Sequence, residues 1–397
     1  MSDIFAIYTH SYLQARSSSV NPRIINRCVN LARTEATVAD ISYFEPPWFR
    51  VTSEQPDIPS ENADVTRRPL AFGSWALPKL RRELHDSDDF VVIQALLSLC
   101  DLIHDPERAY EALQLKIPDR LADKLLDPLP PVRESSVLLL SLFARLADGK
   151  EAIVKNKEIL ENLYLTLGDE QISIRLKSAA CIELVSRSWM AADVLVETGL
   201  IETLLELIEK DEPSDILEYH LKSLKCLMYE CGKCIALKHD GFKIFMKLLN
   251  HEKSSIVCKA LDCLAILTST KKGKKLAIEK NLLKTLTKLI HYGDTDMCKS
   301  AASVIMFCTV KTRAKILAAE IKSLAKRLIR LSTNPLNVAL QMFSIKALTN
   351  ICEHPLVRKE VYDRYLNELT QMQVDPTNAE YKKTLLQIVS WVPYKSE

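Results

Sequence analysis

The chain has 397 residues, 47% of them hydrophobic and 26% charged, and its formal net charge is only +2. These proportions exclude a wholly disordered, collagenous or mucin-like chain, and the length leaves room for two or three compact domains or one elongated repeat domain. Glycine is the outlier: eight residues, about 2% where roughly 7% is usual, too few for Rossmann or P-loop phosphate cradles and indicative of an all-helical chain.

The first residues, Met1-Ser-Asp-Ile-Phe-Ala, lack the basic region and apolar core of a signal peptide. Residues 1–68 hold five of the 17 prolines (Pro22, Pro46, Pro47, Pro56, Pro59) and read as an irregular arm. Residues 21–35 suit a short helix, 44–59 an extended segment, and 53–68 a polar stretch that either links or packs on a partner.

From residue 69 a repeat sets in. A polar anchor followed by small and apolar residues recurs at Gln94, Glu134, Lys177, Lys222, Lys259, Lys299 and Lys346, at a mean spacing of 42. That period falls in the armadillo and HEAT range of about 40–47 residues. The glycines keep the same time. Gly149, Gly232 and Gly273 are each followed by lysine, and Gly199 and Gly241 lie 42 apart. We place these glycines at chain reversals, where a left-handed residue ends a helix. Each repeat then reads as a short first helix, a second helix, a polar loop and a long third helix. In one third helix Val257, Ala260, Leu261, Leu264 and Leu267 fall at helical spacing. Ala179-Ala180 and Ala301-Ala302 allow neighbouring helices to approach. The expected fold is an all-α, armadillo/HEAT-type right-handed α-solenoid over 69–393, about seven repeats with caps. Pro376 onward closes the stack, with Trp391 covering the last apolar face, and 394–397 is a tail.

Chemistry finds little footing. Cys231-x-x-Cys234, with Cys226 and His239 nearby, resembles a zinc set, but it straddles a turn that other repeats make without cysteine, and Cys226 holds a core position. His104-Asp105-Pro106-Glu107 reads as a helix start, with Asp105 the N-cap and Pro106 the first helical residue. The Gly-Lys pairs lack the remaining Walker residues, and no catalytic constellation stands out. We expect no enzyme activity, cofactor, metal or small-molecule substrate. Eleven cysteines, most at apolar helical positions such as Cys181, Cys258, Cys263, Cys298 and Cys308, suit a reducing compartment. The longest apolar stretch, Val137 to Ala144, is too short for a bilayer. The expectation is a soluble intracellular protein without membrane contact.

The near-neutral charge hides an asymmetry. Residues 150–221 carry net −8 and residues 222–330 net +15. We take Lys271, Lys272, Lys274, Lys275, Lys311, Arg313, Lys315, Lys326 and Arg327 as candidate partner-binding residues for an acidic protein. The simpler reading is a solvated face. The segment is rich in lysine, poor in arginine and without interleaved aromatics, which argues against a nucleic acid. Nuclear-import adaptors of the armadillo class line a groove with repeated Trp and Asn. Here Trp48, Trp75, Trp189 and Trp391 are not so spaced, and only Asn350 occupies such a position.

Several stretches resemble one armadillo family in particular. Leu70-Ala-Phe-Gly-Ser-Trp-Ala-Leu-Pro-Lys-Leu-Arg-Arg-Glu-Leu, Ala95-Leu-Leu-Ser-Leu-Cys-Asp-Leu-Ile-His-Asp-Pro-Glu and Tyr110-Glu-Ala are similar to the opening of the radial spoke head protein fourteen family, the rhabdoid tumour deletion region protein. Lys299-Ser-Ala-Ala-Ser-Val-Ile-Met-Phe-Cys-Thr-Val-Lys-Thr-Arg-Ala-Lys and Lys346-Ala-Leu-Thr-Asn-Ile-Cys-Glu-His-Pro agree. The resemblance spans about 70–393 and is thin between about 115 and 250, and the arm is longer than the family's. It implies a non-enzymatic component of the radial spokes of motile cilia and flagella, located in the cytoskeleton at the axoneme and bound to other spoke subunits. The residues alone equally suit a cytosolic armadillo adaptor or assembly chaperone for an acidic protein.

Overall fold

The structure is a computed structural model that describes residues 76–210, 213–334 and 337–391. The N-terminal arm at 1–68, its helix at 21–35, Trp48, Trp75 and the tail 394–397 lie outside the described residues. The chain divides into two units, Met1–Leu80 and Arg81–Glu397. Helix α1 (Ala76–Glu83) runs across that division.

The second unit is a series of helical repeats, with no strand among the described residues. After α2 (Asp89–Leu102) comes a unit of α3 (Pro106–Gln114), two 3₁₀ turns (Pro118–Leu121 and Asp123–Leu126) and α4 (Pro130–Phe143). Three-helix units follow: α5 (Ala147–Lys155), α6 (Lys157–Thr166) and α7 (Ile172–Ser186), then α8 (Trp189–Glu197), α9 (Leu200–Glu209) and α10 (Ser214–Leu227). Next are α11 (Cys231–Lys238), α12 (Gly241–Leu248) and α13 (Ser254–Thr268), then α14 (Lys271–Glu279), α15 (Leu282–Tyr292) and α16 (Thr295–Cys308). The last full unit is α17 (Thr312–Glu320), α18 (Lys322–Ser332) and α19 (Val338–Cys352), closed by α20 (Pro355–Gln371) and α21 (Ala379–Val389).

The seven anchors all fall in long helices, α2, α4, α7, α10, α13, α16 and α19, which pack one on the next. Each is buried on more than one side. In α13, Val257, Ala260, Leu261, Leu264 and Leu267 are buried as their spacing requires, and Ile256, Cys263 and Ala265 are buried as well. A helix covered so broadly is held by its neighbours, each buried Leu contributing roughly 1.5–3 kcal/mol. Cys181, Cys263, Cys298 and Cys308 are buried as small apolar groups, while Cys258 is half-buried. Asp105 caps α3 as its sequence implies, accepting from the Glu107 amide at 3.0 Å.

The glycines divide into two kinds. Gly149, Gly232 and Gly273 do not sit at reversals; they lie inside first helices that cross the carbonyl end of the preceding third helix. A Cβ on any of them would collide with the carbonyl oxygen of Phe143, Leu227 or Leu267. Ala191 and Ala314 take the same register in α8 and α17 and are buried. The left-handed residue between first and second helices is Gly199 (φ 81°) in one repeat, but Asp240 (φ 54°) and Asn281 (φ 52°) in the next two. Asp and Asn tolerate that conformation better than other side chains. Gly241 itself opens α12 one residue later.

The loops before successive third helices are tied together, each by different chemistry. Arg133 near the start of α4 grips Asp169 bidentately, Nε to Oδ2 at 2.7 Å and Nη2 to Oδ1 at 3.0 Å, with both side chains largely buried. At the matching place Asp215 and Lys253 make an exposed contact of 3.4 Å, and the Ser254 hydroxyl donates to Asp294 at 2.6 Å. At the C-terminal end Leu385 and Val389 of α21 are buried. Trp391 corrects the expectation: it is 68% exposed, one residue past the last helical turn and too far along to fold back on that face. No helix among the described residues is long and apolar enough to cross a membrane.

Candidate protein-binding surface

None of the nine candidate cations stands on a third helix. Lys271, Lys272, Lys274 and Lys275 lie on α14; Lys311 is the N-cap of α17, which carries Arg313 and Lys315; Lys326 and Arg327 lie on α18. The structure separates them by what they hold. Lys272 donates to the Leu237 carbonyl at 3.3 Å, Lys274 to Ser269 at 2.9 Å, and Arg327 Nε to Ile290 at 2.7 Å. These are carbonyls at helix C-termini that no amide of their own helix reaches, so the three cations cap them. Lys315 pairs with Glu353 at the C-terminal end of α19 in its own repeat, and Lys275 makes a loose 3.7 Å pair with Glu279. Lys271, Lys311, Arg313 and Lys326 have no such partner among the described residues.

The first group of cations converges between two first helices. Lys271 and Lys275 of α14 share a groove of about 420 Å³ with Lys311 and Arg313 of the next repeat, lined also by Ile278, Glu279 and Thr312.

Sequence reasoning missed the residues at the same register in the two preceding repeats. Immediately before the buried small residue of each first helix stand Trp189-Met190, Glu230-Cys231, Lys271-Lys272 and Thr312-Arg313. Trp189 is 76% exposed, Met190 60% and Tyr229 70%. Over four consecutive repeats the edge therefore passes from Trp189-Met190, through Glu230-Cys231 with Tyr229 one residue before it, to cations. The signal available in advance was the Gly149-Gly232-Gly273 register, extended through Ala191 and Ala314.

The third-helix face is polar and mostly paired within itself. Lys177 bonds Glu134 at 2.6 Å, and Asp262 accepts from both Lys225 and Ser300 at 2.8 Å. Glu183 is buried and accepts from Arg187 at 2.9 Å, which raises the guanidinium's affinity for its proton further. Asn350 donates to the Met306 carbonyl at 2.9 Å, beside a shallow apolar groove formed by Met306, Phe307, Val310 and Tyr381. Lys346 sits 4.0 Å above the Tyr381 ring. His220 of α10 is buried, and neither of its ring nitrogens has a hydrogen-bond partner; burial alone lowers its pKa to about 4.

The cysteines do not assemble into a ligand set. Cys231 and Cys234 are exposed, Cys226 is half-buried, and His239 lies 3.8 Å from Glu202. Among the described residues no three His, Cys, Asp or Glu side chains are grouped to hold a metal ion.

Solved structures share this architecture. An engineered protein matches 80% of the chain over 79% of its own length, at 18% identity and a TM-score of 0.71. A designed armadillo repeat protein in complex with the peptide (KR)4 matches 58% of the chain over 99% of its own, at 16% identity and a TM-score of 0.54. Computationally designed armadillo repeat proteins for modular peptide recognition match at 16% identity and a TM-score of 0.55, over 58% of this chain and 99% of theirs. At such identities the likeness establishes the fold: the chain is an all-helical, armadillo-type solenoid. No family model matches it.

Proposed function

We propose that this chain is a non-enzymatic scaffold that binds protein segments along its repeats. The observation that carries the reading is the register of the first helices. Four consecutive repeats present their exposed side chains at one equivalent position, a surface that suits an extended partner and offers no enclosed site for a small substrate. The peptide-bound designed neighbour supports peptide binding as a capacity of this fold. Its basic peptide does not carry over to this chain, whose unpaired groove side chains, Lys271, Lys311 and Arg313, are cationic. An acidic partner is the better match.

The finer assignment is to the radial spoke of motile cilia and flagella, where the chain would hold spoke subunits together at the axoneme. Its support is the sequence resemblance over 70–84, 95–107, 299–315 and 346–355. A tagged copy retained in detergent-extracted axonemes supports that assignment. A wholly soluble pool overturns it and leaves the cytosolic adaptor or assembly chaperone, which shares the same physical features.

A further inference from the structure

We infer that the first-helix edge is a two-part docking site for one extended acidic segment of a partner protein, its carboxylates in the groove between α14 and α17 and an apolar side chain on Trp189, Met190 and Tyr229. This deepens the scaffold reading and rests on it. It moves the contact from the third helices, which satisfy most of their charges internally, to the edge where charges are left over.

Three observations combine. First, the cations of the groove are free: Lys271, Lys311 and Arg313 have no partner among the described residues, and the one acid beside them, Glu279, is engaged with Lys275. Neither α14 nor α17 has an acidic residue in its first turn to balance them. Second, the cations and Ile278 line one groove, so a bound carboxylate meets several cationic donors, and charge-assisted bonds are the stronger kind. Third, the apolar end is large and open: Trp189 and Met190 hold the register in one repeat, and in the next Tyr229 stands one residue before it, beside Glu230. Exposed aromatics of this size bordering a charged rim are the usual anchors of a protein contact.

Dimensions fit a short peptide. Neighbouring helices pack roughly 8–10 Å apart, so the three steps from α8 to α17 span about 27 Å. An extended chain covers about 3.3 Å per residue, which makes the occupant roughly eight or nine residues long. A single-stranded nucleic acid is the poorer occupant, because the aromatics lie at one end of the edge instead of alternating with the cations, and cannot stack successive bases.

The test uses the full chain and a fluorescein-labelled decapeptide of eight glutamates ending in Leu-Phe, followed by anisotropy at two salt concentrations. The expected result is binding that weakens at least tenfold in the triple variant Lys271→Glu/Lys311→Glu/Arg313→Glu, with unchanged circular dichroism and Tm. Trp189→Ser/Tyr229→Ser should weaken the Leu-Phe peptide about fivefold and leave an all-glutamate peptide unaffected. A change under twofold in the triple variant overturns the proposal, as does equal loss for both peptides in the aromatic variant. Stronger competition by a ten-nucleotide single-stranded RNA also overturns it. The scaffold reading is judged separately: native partners that still co-purify with the triple variant refute the edge and leave the scaffold standing, whereas a wild-type chain that retains no partner refutes the scaffold itself.

Discussion

Residues 150–221 and 222–330 are adjacent stretches of the same architecture with opposite charge, −8 and +15, and they use their cations differently. In the acidic stretch five of the seven basic side chains are held by partners. Arg175 donates to the Asp169 carbonyl, Lys177 and Arg187 pair with Glu134 and Glu183, and Lys155 and Lys157 make helical pairs. In the basic stretch some cations cap helix ends, others such as Lys225, Lys253 and Lys315 are ion-paired, and Lys271, Lys311 and Arg313 are left over on one edge. The lesson is that net charge alone does not mark a docking surface; what survives internal pairing does.

The largest expected effect contrasts the loop ties. Arg133→Ala leaves the part-buried Asp169 carboxylate without its bidentate partner and should cost about 2–3 kcal/mol, read as a drop in urea midpoint. Lys253→Ala, which breaks the exposed tie at the matching place, should cost less than about 0.5 kcal/mol. Equal losses would erase the distinction between the two regions.

The second effect lies at their border. His220 is held neutral by burial, with its pKa lowered to about 4, whereas the unfolded chain titrates near the ordinary 6.5 of histidine. Between those values the unfolded state binds more protons, so stability is full above pH 6.5 and falls as pH drops toward 4. His220→Leu should remove most of that decline, on the order of 2–3 kcal/mol across the window, in denaturation curves taken at pH 7 and pH 4.5.

Within the basic set the effects are smaller and graded. Arg327→Met removes the cap on Ile290 and should cost about 1 kcal/mol. Lys271→Ala, Lys311→Ala and Arg313→Ala, each without a partner to lose, should fall within about 0.5 kcal/mol of wild type. If the free cations prove as costly to remove as the caps, the division drawn between them fails.

The long helices were legible in the sequence because a buried third helix must repeat its small and apolar residues at helical spacing; Gln94 through Lys346 mark all seven. The cap at Asp105 was legible because a short acceptor before proline has few other uses. The glycines misled, since close approach and chain reversal call for the same residue type. Alanine at 191 and 314 hid the first role, and Asp240 and Asn281 hid the second. The site was legible as an excess of lysine but not as a place. Whether Lys272 or Arg327 is free depends on carbonyls 35 and 37 residues away in sequence. Trp189 and Met190 read as ordinary apolar helix residues until their repeat register was known.

The cysteines give that edge an experimental handle. Burial pushes the thiols of Cys181, Cys308 and Cys352 up to about 12 and that of Cys263 upward as well, so they form almost no thiolate at neutral pH. Cys231 and Cys234 are the exposed thiols among the described residues, and they stand between Tyr229 and the lysines of α14. With Cys28, outside the described residues, replaced by serine, a brief maleimide pulse would place its dye on Cys231 and Cys234, where an arriving partner changes the dye's colour or brightness.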